Sequence, residues 1–181
     1  MLETLRLIQS DIGAKARWLY ESDDLRSQLK TLATDGSLAM ILYRCMQGSR
    51  RAHLPALEMV FNKLNATLGG AIIGRGAEFG PGFVLIHAQG VVINGSVRGG
   101  ADVKIEHQVT IGAERRASPT LGDGVFVGAG AKIVGPVTVG DRARIGANAV
   151  VVRDVPAETT VVGVPATPVV RAAKGEINRG G

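Results

Sequence analysis

Two of the three histidines stand in segments that could carry proton transfer. His87 lies in "VLIHAQGVVIN" and His107 in "IEHQVTIG". An imidazole changes protonation near neutral pH, so it can take the proton of an attacking hydroxyl. Covalent catalysis has no comparable candidate. The single cysteine, Cys45, sits in "SLAMILYRCM", away from both histidines, and reads as a small buried hydrophobe. With one cysteine no internal disulfide can form. His53, in "RRAHLPAL", reads as a surface or capping residue ahead of a helix.

The elements that must position these imidazoles fall into two halves. Residues 1–68 read as helices. Leu2, Leu5, Ile8 and Ile12 recur at spacings of three and four, which predicts one apolar face. Ser22 is an N-cap candidate for the next helix. Pro55 suits a first helical turn, followed by Leu57, Val60, Phe61 and Leu64. The Leu68-Gly69-Gly70 sequence marks a boundary.

From Ile73 the spacing changes to six. Aliphatic or small residues recur at Ile73, Phe79 and Leu85, then at Ile93, Gly99, Ile105 and Ile111. After "AERRASPT" they resume at Leu121, Val127, Ile133, Val139, Ile145 and Val151. A second apolar position follows most of them by four, as at Ala77, Val103, Val125 and Ala143. A short fixed period with Gly- and Asp-rich turns predicts stacked strands, a parallel β-helix. Aromatics make up only 4% of the chain and hydrophobic residues 45%, so the core must be an aliphatic ladder. The beat slips by two between Leu85 and Ile93, around His87. The expected organisation is α+β: a helical region over 1–68, a β-helix over 69–165 and a tail over 166–181.

The net charge of +5 is spread along the chain without a basic run interleaved with aromatics, which argues against nucleic acid. It suits attraction for a phosphorylated small molecule. No apolar run approaches the ~20 residues of a membrane span, and the N-terminus lacks a signal-type apolar core. A cytoplasmic protein is expected.

The hexapeptide pattern resembles that of the left-handed β-helix acyltransferases. "GSLAMILYRCMQGSRR", "IHAQGVVIN", "HQVTIG" and the segment from "PTLGDG" to "GVPA" are similar to serine acetyltransferases in order and spacing. "IHAQGVVIN" with "IEHQVTIG" looks closer to the exopolysaccharide branch, the colanic-acid-type acetyltransferases. The resemblance implies an acetyl-CoA-dependent O-acetyltransferase with His87 as the base. It also implies a homotrimer, or a dimer of trimers, with the groove between subunits.

In that family three hexapeptides close one coil. Rung 105 then returns to the face of rung 85, and the second residues after the rungs form a column: His87, His107, Ala129, Ala147. This reads as a reactive end and a smooth groove for a pantetheine arm. His107 would orient the acceptor or steady the oxyanion, to which the Gly112 backbone could also donate. Arg153 and Arg171, with Lys174, could meet coenzyme A phosphates. Arg115 and Arg116, in the extruded loop, could contact the acceptor. No metal is expected.

Three departures bear on the acceptor. Serine acetyltransferases place aspartates about fifteen residues before the catalytic histidine and immediately before it. Here those positions are Ile72 and Ile86. A second histidine, before a proline in the loop, is replaced by Ser118 before Pro119. An amino acid's ammonium wants a carboxylate partner, so a carbohydrate hydroxyl is the expected acceptor, in exopolysaccharide synthesis. L-serine is the alternative, and a non-catalytic β-helix scaffold is a third reading.

Overall fold

The computed structural model describes residues 2–169. Four helices come first: α1 (Leu2–Tyr20), α2 (Leu25–Leu32), α3 (Ser37–Arg51) and α4 (Pro55–Leu64). A short π-helical turn, Asn65–Gly69, leads into the first strand at Ala71. The cap of α2 is Asp24, whose carboxylate accepts from the Ser27 N–H at 2.7 Å. Ser22, the expected cap, stands two residues too early and accepts from the Asp24 N–H instead. Of the apolar stripe expected on α1, Ile12 is buried, while Leu2 and Leu5 lie open on the protomer surface.

The rest is a parallel solenoid with three faces. Face one stacks Ala71–Ile73, Val91–Ile93, Thr110–Gly112, Lys132–Val134 and Val150–Val151. Face two stacks four strands, from Glu78–Phe79 to Thr138–Val139. Face three stacks Val84–Leu85, Lys104–Ile105, Phe126–Val127, Arg144–Ile145 and Thr160–Val162. Thr167–Pro168 closes face three in antiparallel pairing, the only antiparallel partner among the described strands. The six-residue spacing appears directly as register: Ile73, Ile93, Ile111, Ile133 and Val151 align on face one. Leu85, Ile105, Val127, Ile145 and Val161 align on face three. All point inward and are almost wholly buried. Gly99 occupies an inward rung because the Phe79 ring, from the preceding coil, fills the space a side chain would need: a Cβ at Gly99 would meet Phe79 Cδ1 at 2.2 Å.

The helical half is joined to the first coil by buried polar groups. The Arg44 guanidinium from α3 is fully buried. Its Nε donates to Asp11 Oδ2 at 2.6 Å and its Nη2 to Asp11 Oδ1 at 3.0 Å. The remaining N–H groups reach Gln47 Oε1, the Phe79 carbonyl and the Gly80 carbonyl. Asp11 in turn accepts from the Phe83 N–H at 3.0 Å. Tyr43 accepts from the Phe79 N–H and donates to the Ala77 carbonyl. Thus turn backbone between 77 and 83, which has no preceding coil to pair with, is satisfied by α1 and α3.

Candidate active site

His87 and His107 stand together at the corner after face three. Their ring centroids are 5.9 Å apart and the planes are steeply inclined, at 75°. The backbone ladder shows how they come together. Ile86 donates to the Ile105 carbonyl, as Glu106 does to Val127 and Gly128 to Ile145. Past the corner, Gln108 donates to Gln89, Gly130 to His107 and Asn148 to Ala129. Gly90, Gln108, Gly130 and Asn148 share the left-handed conformation, with φ of 71°, 56°, 71° and 55°. The stacked column is therefore Gln89, His107, Ala129, Ala147.

This corrects the column expected from the rungs, which began at His87. The two extra residues are His87 and Ala88 themselves. They bulge between Ile86 and Gln89, where the next coil passes directly from Glu106 to His107. Ala88 turns its methyl into the core and is 1% exposed, and His87 projects outward. The bulge brings the two imidazoles edge to face from different depths of the corner.

The groups around the rings come from both halves. Asp35, in the turn before α3, places Oδ2 3.1 Å from His87 Nδ1. Glu106 Oε2 lies 3.6 Å from His107 Nδ1, close enough for an ion pair but long for a hydrogen bond. Lys15, buried on α1, donates through Nζ to the Asp35 carbonyl. Burial pushes the Lys15 ammonium down to about 8, against the opposing pull of the Asp35 carboxylate. Asp35 was invisible to a reading of local motifs, since 52 residues separate it from His87. The only sequence signal was a turn-forming Asp-Gly pair.

Gly36 lets that turn approach. Its φ is +81°, and a Cβ there would sit 2.4 Å from the Leu85 carbonyl oxygen. Replacing it by alanine should cost at least the ~1–2 kcal/mol of a left-handed alanine, and more from the backbone clash. Gly36→Ala should lower both the denaturation midpoint and, by lifting the turn, the turnover rate.

The other expected residues separate into groups. Ala129 and Ala147 stack on consecutive coils beside His107, leaving a strip without bulky side chains. Gly112 ends the next face-one strand, so the width of that face lies between it and His107 within one protomer. Arg115 and Arg116 are exposed in a tight turn closed by the Glu114–Ala117 bridge. Arg153 is exposed at a bend beyond face one. Arg171 and Lys174 lie outside the described residues. Ile86 is buried against Ala14 and Val84 under α1, and Ile72 is exposed on face one. Ser118 Oγ donates to Asn94 Oδ1 at 3.1 Å. Among the described residues no group of three or more His, Cys, Asp or Glu is placed to hold a metal ion, and no helix is long and apolar enough to cross a membrane.

Helices docked on a six-residue solenoid, with paired imidazoles at a coil corner, define a hexapeptide-repeat transferase. Residues 118–153 match the family model for the bacterial transferase hexapeptide (six repeats). The chain belongs to the serine acetyltransferase family. It is 35% identical over 170 residues to the serine acetyltransferase of Helicobacter pylori strain J99, covering 92% of this chain and 94% of that one. The solved Neisseria gonorrhoeae serine acetyltransferase in complex with serine superposes with a TM-score of 0.84 at 32% identity, over 93% of this chain and 70% of that one. A serine acetyltransferase complexed with CoA gives 0.83 at 31% identity, over 93% and 70%. The chain is thus an acyltransferase that uses acetyl-CoA.

These relatives carry the serine acetyltransferase name, which corrects the exopolysaccharide branch expected from "IHAQGVVIN" and "IEHQVTIG". Both segments are corner sequences whose spacing the coil itself imposes, so they discriminate poorly between branches of one architecture.

Proposed function

We propose that the protein transfers the acetyl group of acetyl-CoA to the hydroxyl of L-serine. The observation that carries this reading is the imidazole pair at the corner of a chain similar over nearly its whole length to serine acetyltransferases. His87 takes the hydroxyl proton as the oxygen attacks the thioester carbonyl. The tetrahedral adduct collapses, the C–S bond breaks, and the imidazolium returns the proton to the departing thiolate. His107 donates toward the oxyanion or holds the acceptor. Glu106, next to that imidazole, supplies the carboxylate that an ammonium requires, in place of the family's aspartates. The pantetheine arm lies along Ala129 and Ala147. Arg153 and Arg171 serve the coenzyme A phosphates, Gly112 serves the cofactor groove, and Arg115 and Arg116 face the acceptor. The working form is a trimer in the cytoplasm, and the half-open face-one residues Ile72 and Val92 offer apolar area for subunit contact.

A carbohydrate hydroxyl is the second reading, and one observation favours it. Ile86 immediately precedes the base and is locked under α1, so no carboxylate can reach the acceptor from that position. Thiol release from acetyl-CoA should be followed with L-serine and with a panel of neutral and acidic oligosaccharides. Efficient release with serine is expected. Release with an oligosaccharide alone would overturn the serine reading. Release with neither would overturn both acceptor readings.

A further inference from the structure

We infer that Asp35 is the positioning carboxylate of the base, so that the helical half fixes the tautomer and aim of His87. This rests on the reading of His87 as the base. Asp35 Oδ2 lies 3.1 Å from His87 Nδ1, within hydrogen-bond reach. An ionised carboxylate only accepts, and a neutral imidazole donates from one nitrogen only. The proton therefore sits on Nδ1, and the lone pair sits on Nε2, the nitrogen that must receive the hydroxyl proton.

The turn that carries Asp35 is held from three sides. Lys15 donates to the Asp35 backbone carbonyl from α1. Gly36 packs against the Leu85 carbonyl, two residues before the base. Ser37 and Thr34 hydroxyls both donate to the Thr31 carbonyl, at 2.7 Å each, which ties the turn to the end of α2. The coil itself offers His87 no carboxylate. Ile86 is buried in an apolar cluster, and an acid in its place would be desolvated against Ala14 and Val84. Glu106, on the next coil, faces His107. Among the described residues, the carboxylate within reach of His87 Nδ1 is therefore that of the helical turn. Both side chains are about half exposed, at 54% and 58%, so the pair gives direction more than binding energy.

The test uses the full-length protein. Asp35→Asn can turn its amide N–H toward Nδ1 and so favour the opposite tautomer. The expected result is a fall in kcat of roughly 10- to 100-fold, with KM for acetyl-CoA within about twofold and an unchanged denaturation midpoint. Asp35→Glu should recover a substantial part of kcat. Above pH ~8, where an ordinary imidazole is neutral, nitrogen NMR should find His87 protonated on Nδ1 in the parent, and on Nε2, or as a mixture of the two tautomers, in Asp35→Asn. Parent-like kcat and tautomer in Asp35→Asn, with His87→Ala inactive, would overturn this inference alone. An active His87→Ala protein would overturn it together with the reading of the base.

Discussion

Replacing His87 by alanine is expected to lower kcat by roughly 10²–10⁴-fold, the usual contribution of a positioned general base. His87 is half exposed and its ring packs into no apolar cluster, so the denaturation midpoint should hardly move. KM for acetyl-CoA should also stay close to the parent value, because the strip at Ala129 and Ala147 is untouched. His107→Ala should cost less: it keeps the proton acceptor and loses one donor at the corner. Steady-state thiol release against acetyl-CoA and acceptor separates these outcomes. A His87→Ala protein with parent-like turnover would remove the mechanism. A His107→Ala protein more impaired than His87→Ala would exchange the two roles.

The second large effect lies in the junction between the halves. Arg44→Leu leaves Asp11 as a buried, unpaired carboxylate and strips partners from the Phe79 and Gly80 carbonyls. Removing one member of a buried ion pair typically costs about 3–5 kcal/mol. Burial already raises the Asp11 carboxyl above its usual range, against the hydrogen bonds and charge of Arg44. Without the guanidinium nothing of that size opposes the rise. The double variant Arg44→Leu/Asp11→Leu should recover part of the loss, since an apolar pair carries no uncompensated charge. Denaturant unfolding of the two single variants and the double variant measures the coupling. Additive losses would mean that the pair is not coupled. Activity should fall with Arg44→Leu as well, because α1 and α3 hold the turn that carries Asp35.

Much of the solenoid was legible because its geometry is written into the spacing. Three inward rungs per coil must repeat, and a parallel ladder transmits their register from coil to coil. Leu85 over Ile105 and Val127 follows from counting. The meeting of His87 with His107 was equally accessible. The detail of the bulge was not. Counting forward from Leu85 places His87 in the column, whereas the hydrogen bonds place Gln89 there. A slip of two tells that residues are inserted but not which two. Asp35 was beyond such reasoning altogether, because no period relates a helical turn to a coil corner. The branch is harder to read: Ile72, Ile86 and Ser118 look like losses, Glu106 stands outside the family's pattern, and the carboxylate of Asp35 comes from 52 residues away. The half-exposed N-terminal end of α1 departs from its expected apolar face for a related reason, since periodicity marks a face and does not say what covers it.

The solenoid's one-dimensional stacking has a further consequence for size. The histidine pair spans a single coil step near the N-terminal end, and every coil beyond Val127 contacts only its neighbours. Whole coils could be added or deleted there in increments of ~4.8 Å without displacing an imidazole. Molecular length and imidazole geometry are therefore separable variables in this chain, whereas deletion beyond Val127 would also remove Ala129 and Ala147, the strip proposed for the pantetheine arm.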